Sequence, residues 1–247
     1  MIYLCKVSYL GAAYHGFERQ KKLPTIQGQI EESLSVLLQK TTNIHGAGRT
    51  DAGVSAKGQT FSFEAPSIED PHQFLYAFNR LLPSDISVLS LDKKEKDFDA
   101  RHKSMGKRYS YSFRIGEKRP LESLLVSQFG ERTFEPDVFF EAVGLYKGIH
   151  DFRNFTSKST DVDAFVRCIY SVSHEVKDGL YRVELVGNGF MTYQVRIMIG
   201  AALKVGFGKM TTNEVKAALK PTERKIFSYM APAEGLTLEE VYYERLY

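Results

Sequence analysis

Residues 107–114, Lys-Arg-Tyr-Ser-Tyr-Ser-Phe-Arg, alternate without a break. Tyr109, Tyr111 and Phe113 fall on one side, and Arg108, Ser110, Ser112 and Arg114 on the other. Side chains of a β-strand point to opposite faces in turn, so this period of two predicts a strand. Such a strand has one aromatic face and must cover it with a second layer.

Other segments supply the rest of that layering. Met1 to Leu10 reads as a first strand, with Tyr3, Cys5, Val7 and Tyr9 on one side, and Gly11 to Arg19 as a loop. Thr25 can cap a helix over 26–40 whose Ile26, Ile30, Leu34, Leu37 and Leu38 share one face. A glycine-rich stretch from His45 to Gly58 leads to a short strand at 61–65. Asp70-Pro71 opens a helix that carries Phe74, Leu75 and Phe78 and stops before Pro83. Ile86 to Leu91 reads as another strand. Further on, the pattern predicts a helix over 136–147 and a hairpin of 168–176 and 180–186 turning at Lys177-Asp178-Gly179. Phe190 to Phe207 is the longest apolar helix candidate. A capping box at Thr211 and Glu214 opens one more helix, to Lys220, and Leu236 to Tyr243 is a last strand. The expected fold class is α+β, with two pseudo-duplicated domains, 1–103 and 104–247. Each is a mostly antiparallel sheet with helices on one face.

With 247 residues, 43% hydrophobic and 26% charged, the composition is that of an ordinary globular chain. This excludes wholesale disorder, collagen and a coiled-coil rod. Cys5 and Cys168 are too few for a disulfide framework or a four-thiolate zinc site, and fit a reducing compartment. No apolar run approaches a membrane span. Lys6 and the alternation of the first residues argue against a leader peptide, so a cytoplasmic location is expected.

Thirty-three Lys+Arg against 30 Asp+Glu leave a net charge of only +3. The excess is local. Between Phe98 and Arg119 stand seven cations (Arg101, Lys103, Lys107, Arg108, Arg114, Lys118 and Arg119) against Asp99 and Glu117, a surplus of +5 in 22 residues. Tyrosines interleave them. Cations hold phosphates and rings stack on unpaired bases, so the pattern suits RNA; the plain alternative is a solvated strand with its turns.

The most unusual stretch is His45-Gly46-Ala47-Gly48-Arg49-Thr50-Asp51-Ala52-Gly53-Val54. Its glycines allow left-handed backbone and close approach to a ligand. It lacks the Gly-Lys-Ser/Thr of a phosphate loop and the glycine spacing of a dinucleotide fingerprint. On residues alone it reads equally as a ligand loop or as a tight turn with a salt-bridged aspartate. The six histidines show no metal-ligand spacing, and Asp161 and Asp163 lack the rest of a calcium loop, so no metal is expected.

The segment Gly48-Arg49-Thr50-Asp51-Ala52-Gly53-Val54 resembles the active-site motif of the tRNA pseudouridine synthase A family. Further segments match that family in order: Tyr14-His15-Gly16-Phe17, Phe98-Asp99-Ala100-Arg101, Lys107 to Tyr111, Asp151-Phe152, Asn188 to Met191 running on to Val195-Arg196, and Ala231 to Leu236. The resemblance spans nearly the whole chain. It implies a cofactor-free, metal-free isomerisation of uridine to pseudouridine in the anticodon stem-loop of tRNA, usually at positions 38–40. It also implies two α+β domains around a central basic cleft and a homodimer, with neither DNA nor a membrane as partner.

Residue by residue, the resemblance makes Asp51 the catalytic carboxylate and Arg196 its cationic partner. It makes Arg49 a contact of the flipped nucleotide and Tyr109 the substrate-binding ring. A carboxylate shut in by substrate needs a nearby cation to stay ionised, and a lone arginine in an apolar helix is costly unless paired. Attack on the base, attack on the sugar carbon and assistance to a glycal route stay open as roles for Asp51. Lys103, Lys107 and Arg108 are expected on phosphates, and Tyr111 in the core. The family usually has His where Ser55 stands and commonly Trp where Phe17 stands. A catalytically silent RNA-binding protein on the same scaffold is the alternative; it would need no such carboxylate.

Overall fold

The computed structural model describes residues 1–157, 165–220 and 227–246. Asp161 and Asp163 lie outside them. In chain order the elements are β1 (Ile2–Tyr9), α1 (Ile26–Leu38), β2 (Ile44–Gly46), β3 (Ser55–Glu64), α2 (Pro71–Leu81) and β4 (Ile86–Lys94). They continue with β5 (Gly106–Arg114), β6 (Ser127–Gln128), α3 (Pro136–Gly144), β7 (Gly148–Asp151), β8 (Val166–Lys177) and β9 (Leu180–Gly187). α4 (Gln194–Gly206), α5 (Thr212–Ala218) and β10 (Leu236–Tyr242) complete the chain. The chain divides into two compact units, Met1–Met105 with Thr237–Leu246, and Gly106–Leu236. Mixed helices and largely antiparallel strands make it the α+β chain that the periodicities predict.

In the first unit the strand order is β4-β1-β3-β10, with β2 also on β3. β1 runs antiparallel to β3 and β4. β10 runs parallel to β3, setting Thr237 opposite Ser55 and Leu238 opposite Ala56, while β2 pairs antiparallel with Phe61 to Phe63. Tyr3, Cys5, Val7 and Tyr9 are all buried, as their alternation predicts. α1 begins where Thr25 accepts a hydrogen bond from the Gly28 amide, and buries Ile26, Ile30 and Leu34. α2 begins at Asp70, whose carboxylate accepts from the His72 and Gln73 amides at 3.0 Å. The Asn79 side chain then exchanges two 2.8 Å hydrogen bonds with the Val88 backbone, tying α2 to β4.

β3 starts six residues before the predicted strand. Ser55 to Thr60 show no apolar alternation, yet Ser55, Gln59 and Thr60 are buried. β3 has β1 along one edge and β10 and β2 along the other, so ladder hydrogen bonds extend it where side-chain pattern does not.

In the second unit β5, β9, β8 and β7 lie side by side, antiparallel, with β6 parallel on β5. The predicted hairpin is present. Asp178 and Gly179 have φ of 49° and 70°, the two left-handed residues of a type I′ turn. Phe113 centres the core, with Phe129, Phe134, Phe139 and Tyr181 at ring-centroid distances of 5.9, 5.6, 5.2 and 5.0 Å. α4 begins at Gln194 rather than at Phe190. Tyr193 adopts φ 59°, and the Gln194 side chain accepts from the Met191 amide, so residues 190–193 form a turn that leads into the helix.

Beyond Arg108 the polar face of β5 is closed to water. Ser110, Ser112 and Arg114 are all buried. Arg114 is neutralised there: its Nε and Nη2 donate to the Glu122 carboxylate and its Nη1 to the Asp178 carbonyl.

Candidate active site

The glycine-rich loop between β2 and β3 is held from several directions. Its Gly48 carbonyl accepts from Gln59 Nε2 at 3.0 Å. The Thr50 carbonyl accepts from the Phe17 amide at 3.1 Å, and Thr50 Oγ1 shares a 2.8 Å hydrogen bond with the Tyr9 hydroxyl. The Asp51 carbonyl accepts from the Val54 amide, and the Gly53 amide donates to the Tyr14 carbonyl. Two glycines make this closeness possible. Gly53 has φ 78°, and Gly16 has φ 92° with a would-be Cβ only 2.8 Å from the Thr50 carbonyl oxygen. Thr50 and Val54 are buried while Asp51 is half-exposed. Anchored side chains thus bracket the carboxylate, which is presented from a fixed backbone.

Arg49 points to the surface, where its Nη1 pairs with Glu18 Oε2 at 2.8 Å. The pair edges a groove of about 260 Å³ lined also by Phe17, His45, Asp99, Arg101 and His102. Asp99 anchors that rim. Its Oδ1 accepts from the Arg101 and His102 amides at 2.9 and 2.8 Å, and its carboxylate lies 3.5 Å from His45 Nδ1 and 3.1 Å from His102 Nδ1. Partial burial alone would raise the Asp99 pKa, but these amides and imidazoles outweigh it and hold the carboxyl below its ordinary value.

Ser55 and Phe17, the two positions singled out in the sequence, both pack beside the loop. Ser55 is buried, and its Oγ accepts from the Gly11 amide at 3.0 Å. Phe17 is buried with its ring against Gly46, 6.3 Å from the Tyr9 ring.

Within the second unit, Tyr109 is 7% exposed, and its ring meets Phe190 edge-on at 5.2 Å. Phe190 belongs to the Asn188 to Met191 segment and supplies the ring against which Tyr109 packs. Tyr111 is core, donating its hydroxyl to Ser127 Oγ at 2.8 Å and lying 3.2 Å from the Pro232 carbonyl. Arg196 stands in the first turn of α4, where every residue but Arg196 and Lys204 is buried. Its Nε donates to the Ala231 carbonyl at 2.8 Å while the Ala231 amide donates back to the Arg196 carbonyl. Its guanidinium lies 5.8 Å from the Tyr193 ring. A cation in the first turn opposes the helix dipole, so helix stability does not explain it.

Of the basic run, Lys103 pairs with Asp97 at 3.4 Å and Arg108 with Glu184 at 3.7 Å. Arg119 lies 3.7 Å from Glu122, which also holds Arg114. The surplus counted along the chain is therefore partly cancelled in space. Lys107 is half-buried at the start of β5. Among the described residues no three His, Cys, Asp or Glu stand together as a metal site, and no helix is long and apolar enough to cross a membrane.

A family profile described as tRNA pseudouridine synthase matches residues 142–244. The tRNA pseudouridine synthase A of Acetivibrio thermocellus is 37% identical over 241 residues, covering 96% of this chain and 97% of its own. The chain belongs to the tRNA pseudouridine synthase A family. Its namesakes from a Geobacillus species and from Streptococcus thermophilus agree, at 34% and 35% identity. The first covers 97% of both chains; the second covers 98% of this chain and 99% of its own. Membership places the chain among isomerases, and the matches span 97% to 99% of these relatives' own lengths.

Proposed function

We propose that this protein isomerises uridine to pseudouridine in the anticodon stem-loop of tRNA, at positions 38–40, with Asp51 as the catalytic carboxylate. The observation that carries the reading is the loop at 48–54, in which anchored Gly48, Thr50 and Gly53 hold Asp51 in the family's motif. In the reaction the N1–C1′ bond breaks, the uracil turns, and C5 joins C1′. The C5 proton leaves and N1 gains one. The target base leaves its stack first, at a cost of a few kcal/mol that contacts to the flipped nucleotide offset. Asp51 supplies nucleophilic or electrostatic assistance as the glycosidic bond breaks.

Tyr109 stacks on the uracil and Arg196 keeps the carboxylate ionised. Arg49 holds the backbone of the extruded nucleotide, exchanging Glu18 for a phosphate. Lys103, Lys107 and Arg108 contact phosphates further along the RNA. The first unit brings Asp51 and the second completes the site, without cofactor or metal, in a cytoplasmic homodimer.

The test uses tRNA tritiated at C5 of uridine. Asp51→Asn is expected to abolish tritium release while tRNA still binds, and Arg196→Met to slow release at least about a hundredfold. Full turnover by Asp51→Asn removes that residue from the mechanism. Mapping pseudouridine elsewhere in the tRNA overturns the assigned positions.

A further inference from the structure

β1 carries two tyrosines whose hydroxyls are anchored to different segments of the chain. Tyr3 and Tyr9 lie on the same face of the strand, each is 3% exposed, and each hydroxyl is hydrogen-bonded. The Tyr3 hydroxyl accepts from the Ile68 amide at 2.9 Å, and so ties down the turn after β3. The Tyr9 hydroxyl meets Thr50 Oγ1 at 2.8 Å, one residue before Asp51 and 41 residues away in sequence. Gln59, fully buried on β3, reaches the same place. Its Nε2 donates to the Gly48 carbonyl, its Oε1 accepts from the Thr60 amide, and it also bears on the Tyr9 phenol.

Buried polar groups of this kind add little net stability over apolar ones of the same shape, since their hydrogen bonds mainly replace those lost to water. They do fix geometry, because each bond is satisfied in one arrangement only. Here both bonds end on the loop segment that precedes Asp51. Burial raises the Tyr9 phenol above its ordinary pKa more than the Thr50 and Gln59 hydrogen bonds lower it, so the hydroxyl keeps its proton.

We infer that Tyr9, with Gln59, is a positioning residue for Asp51: it acts through Thr50 to hold the carboxylate at its working place and never touches the RNA. The inference rests on the reading of Asp51 as catalytic. A displacement of about 1 Å at a reacting group costs up to roughly a hundredfold in rate, and the missing hydroxyl is expected to free the loop by less than that.

The experiment compares Tyr9→Phe, Tyr3→Phe and Asp51→Asn in the full-length protein, by single-turnover tritium release, tRNA dissociation constant and thermal midpoint. Tyr9→Phe is expected to lower the single-turnover rate about tenfold with affinity within about twofold. Tyr3→Phe loses a part-buried, hydrogen-bonded hydroxyl from the same strand. It should lose thermal stability and keep the rate within about twofold. A normal rate for Tyr9→Phe, or an equal fall for Tyr3→Phe, overturns the inference. An active Asp51→Asn sinks the functional reading instead; an inactive Asp51→Asn beside a normal Tyr9→Phe sinks the positioning role alone. Should Tyr9→Phe fail to fold, Thr50→Val and Thr50→Ser decide. Only the serine, which keeps the hydroxyl, should restore the rate; equal rates in the two overturn the inference.

Discussion

Ser55 shows how a single position combines two demands. The resemblance leads one to expect an imidazole there, and this chain buries a hydroxyl that accepts from the Gly11 amide. Gly11 precedes the Tyr14 to Phe17 segment that grips the loop at 48–54 through the Tyr14 carbonyl and the Phe17 amide. Ser55→Ala leaves that amide buried without its acceptor, a loss of about 1–3 kcal/mol. Urea unfolding is expected to register the change as a lower midpoint with unchanged slope. An unshifted midpoint would show that water or a rearranged loop replaces the serine.

At the scale of elements, caps decide where helices begin. Thr25, Asp70 and Thr211 all accept from first-turn amides, at the helix starts that the sequence marks. α5 depends on its cap most, because seven residues give too few hydrogen bonds to pay for their own nucleation. Thr211 Oγ1 accepts from the Glu214 amide at 3.2 Å, and Glu214 Oε2 accepts in return from the Thr211 amide at 2.8 Å. Thr211→Ala is expected to cost about 1 kcal/mol of stability. Amide exchange across residues 212–218 should speed up before the rest of the second unit responds. β-strands obey a different logic. β6 and β7 are too short to show a period, and β3 crosses a run of small polar residues. Their partners, more than their own side chains, make them strands.

For the molecule as a whole, charge has to be counted in space. Lys103 and Arg108 both have carboxylates within 4 Å, but not in equivalent settings. Lys103 is an exposed pair of the kind worth little, which a phosphate can displace. Arg108 is held to Glu184 on the neighbouring strand and is only a third exposed. Charge reversal at Lys103 or Lys107 is therefore expected to lower the slope of log affinity for tRNA against log salt by about one contact's worth. Arg108→Glu should lower it by less. Equal slopes in all three variants would place the RNA elsewhere. The first unit also draws on both ends of the chain. Lys57 pairs with Glu239, 182 residues away, so that unit is complete only after the second has been threaded between its parts.

Local forces made much of this legible in one dimension. Side-chain alternation marked β1 and β5, turn residues marked the β8–β9 hairpin, and hydroxyl and carboxyl caps marked α1, α2 and α5, whereas the loop that carries Asp51 was singled out by resemblance. The alternation, turn and cap signals are interactions between neighbours a few positions apart, and so they are written where they act. Burial of both faces of β5, the pairing of its arginines, the late start of α4 and the grip of Tyr9 on Thr50 carry no such mark. They depend on residues tens to hundreds of positions apart meeting at hydrogen-bonding distance, and only the folded chain closes those loops.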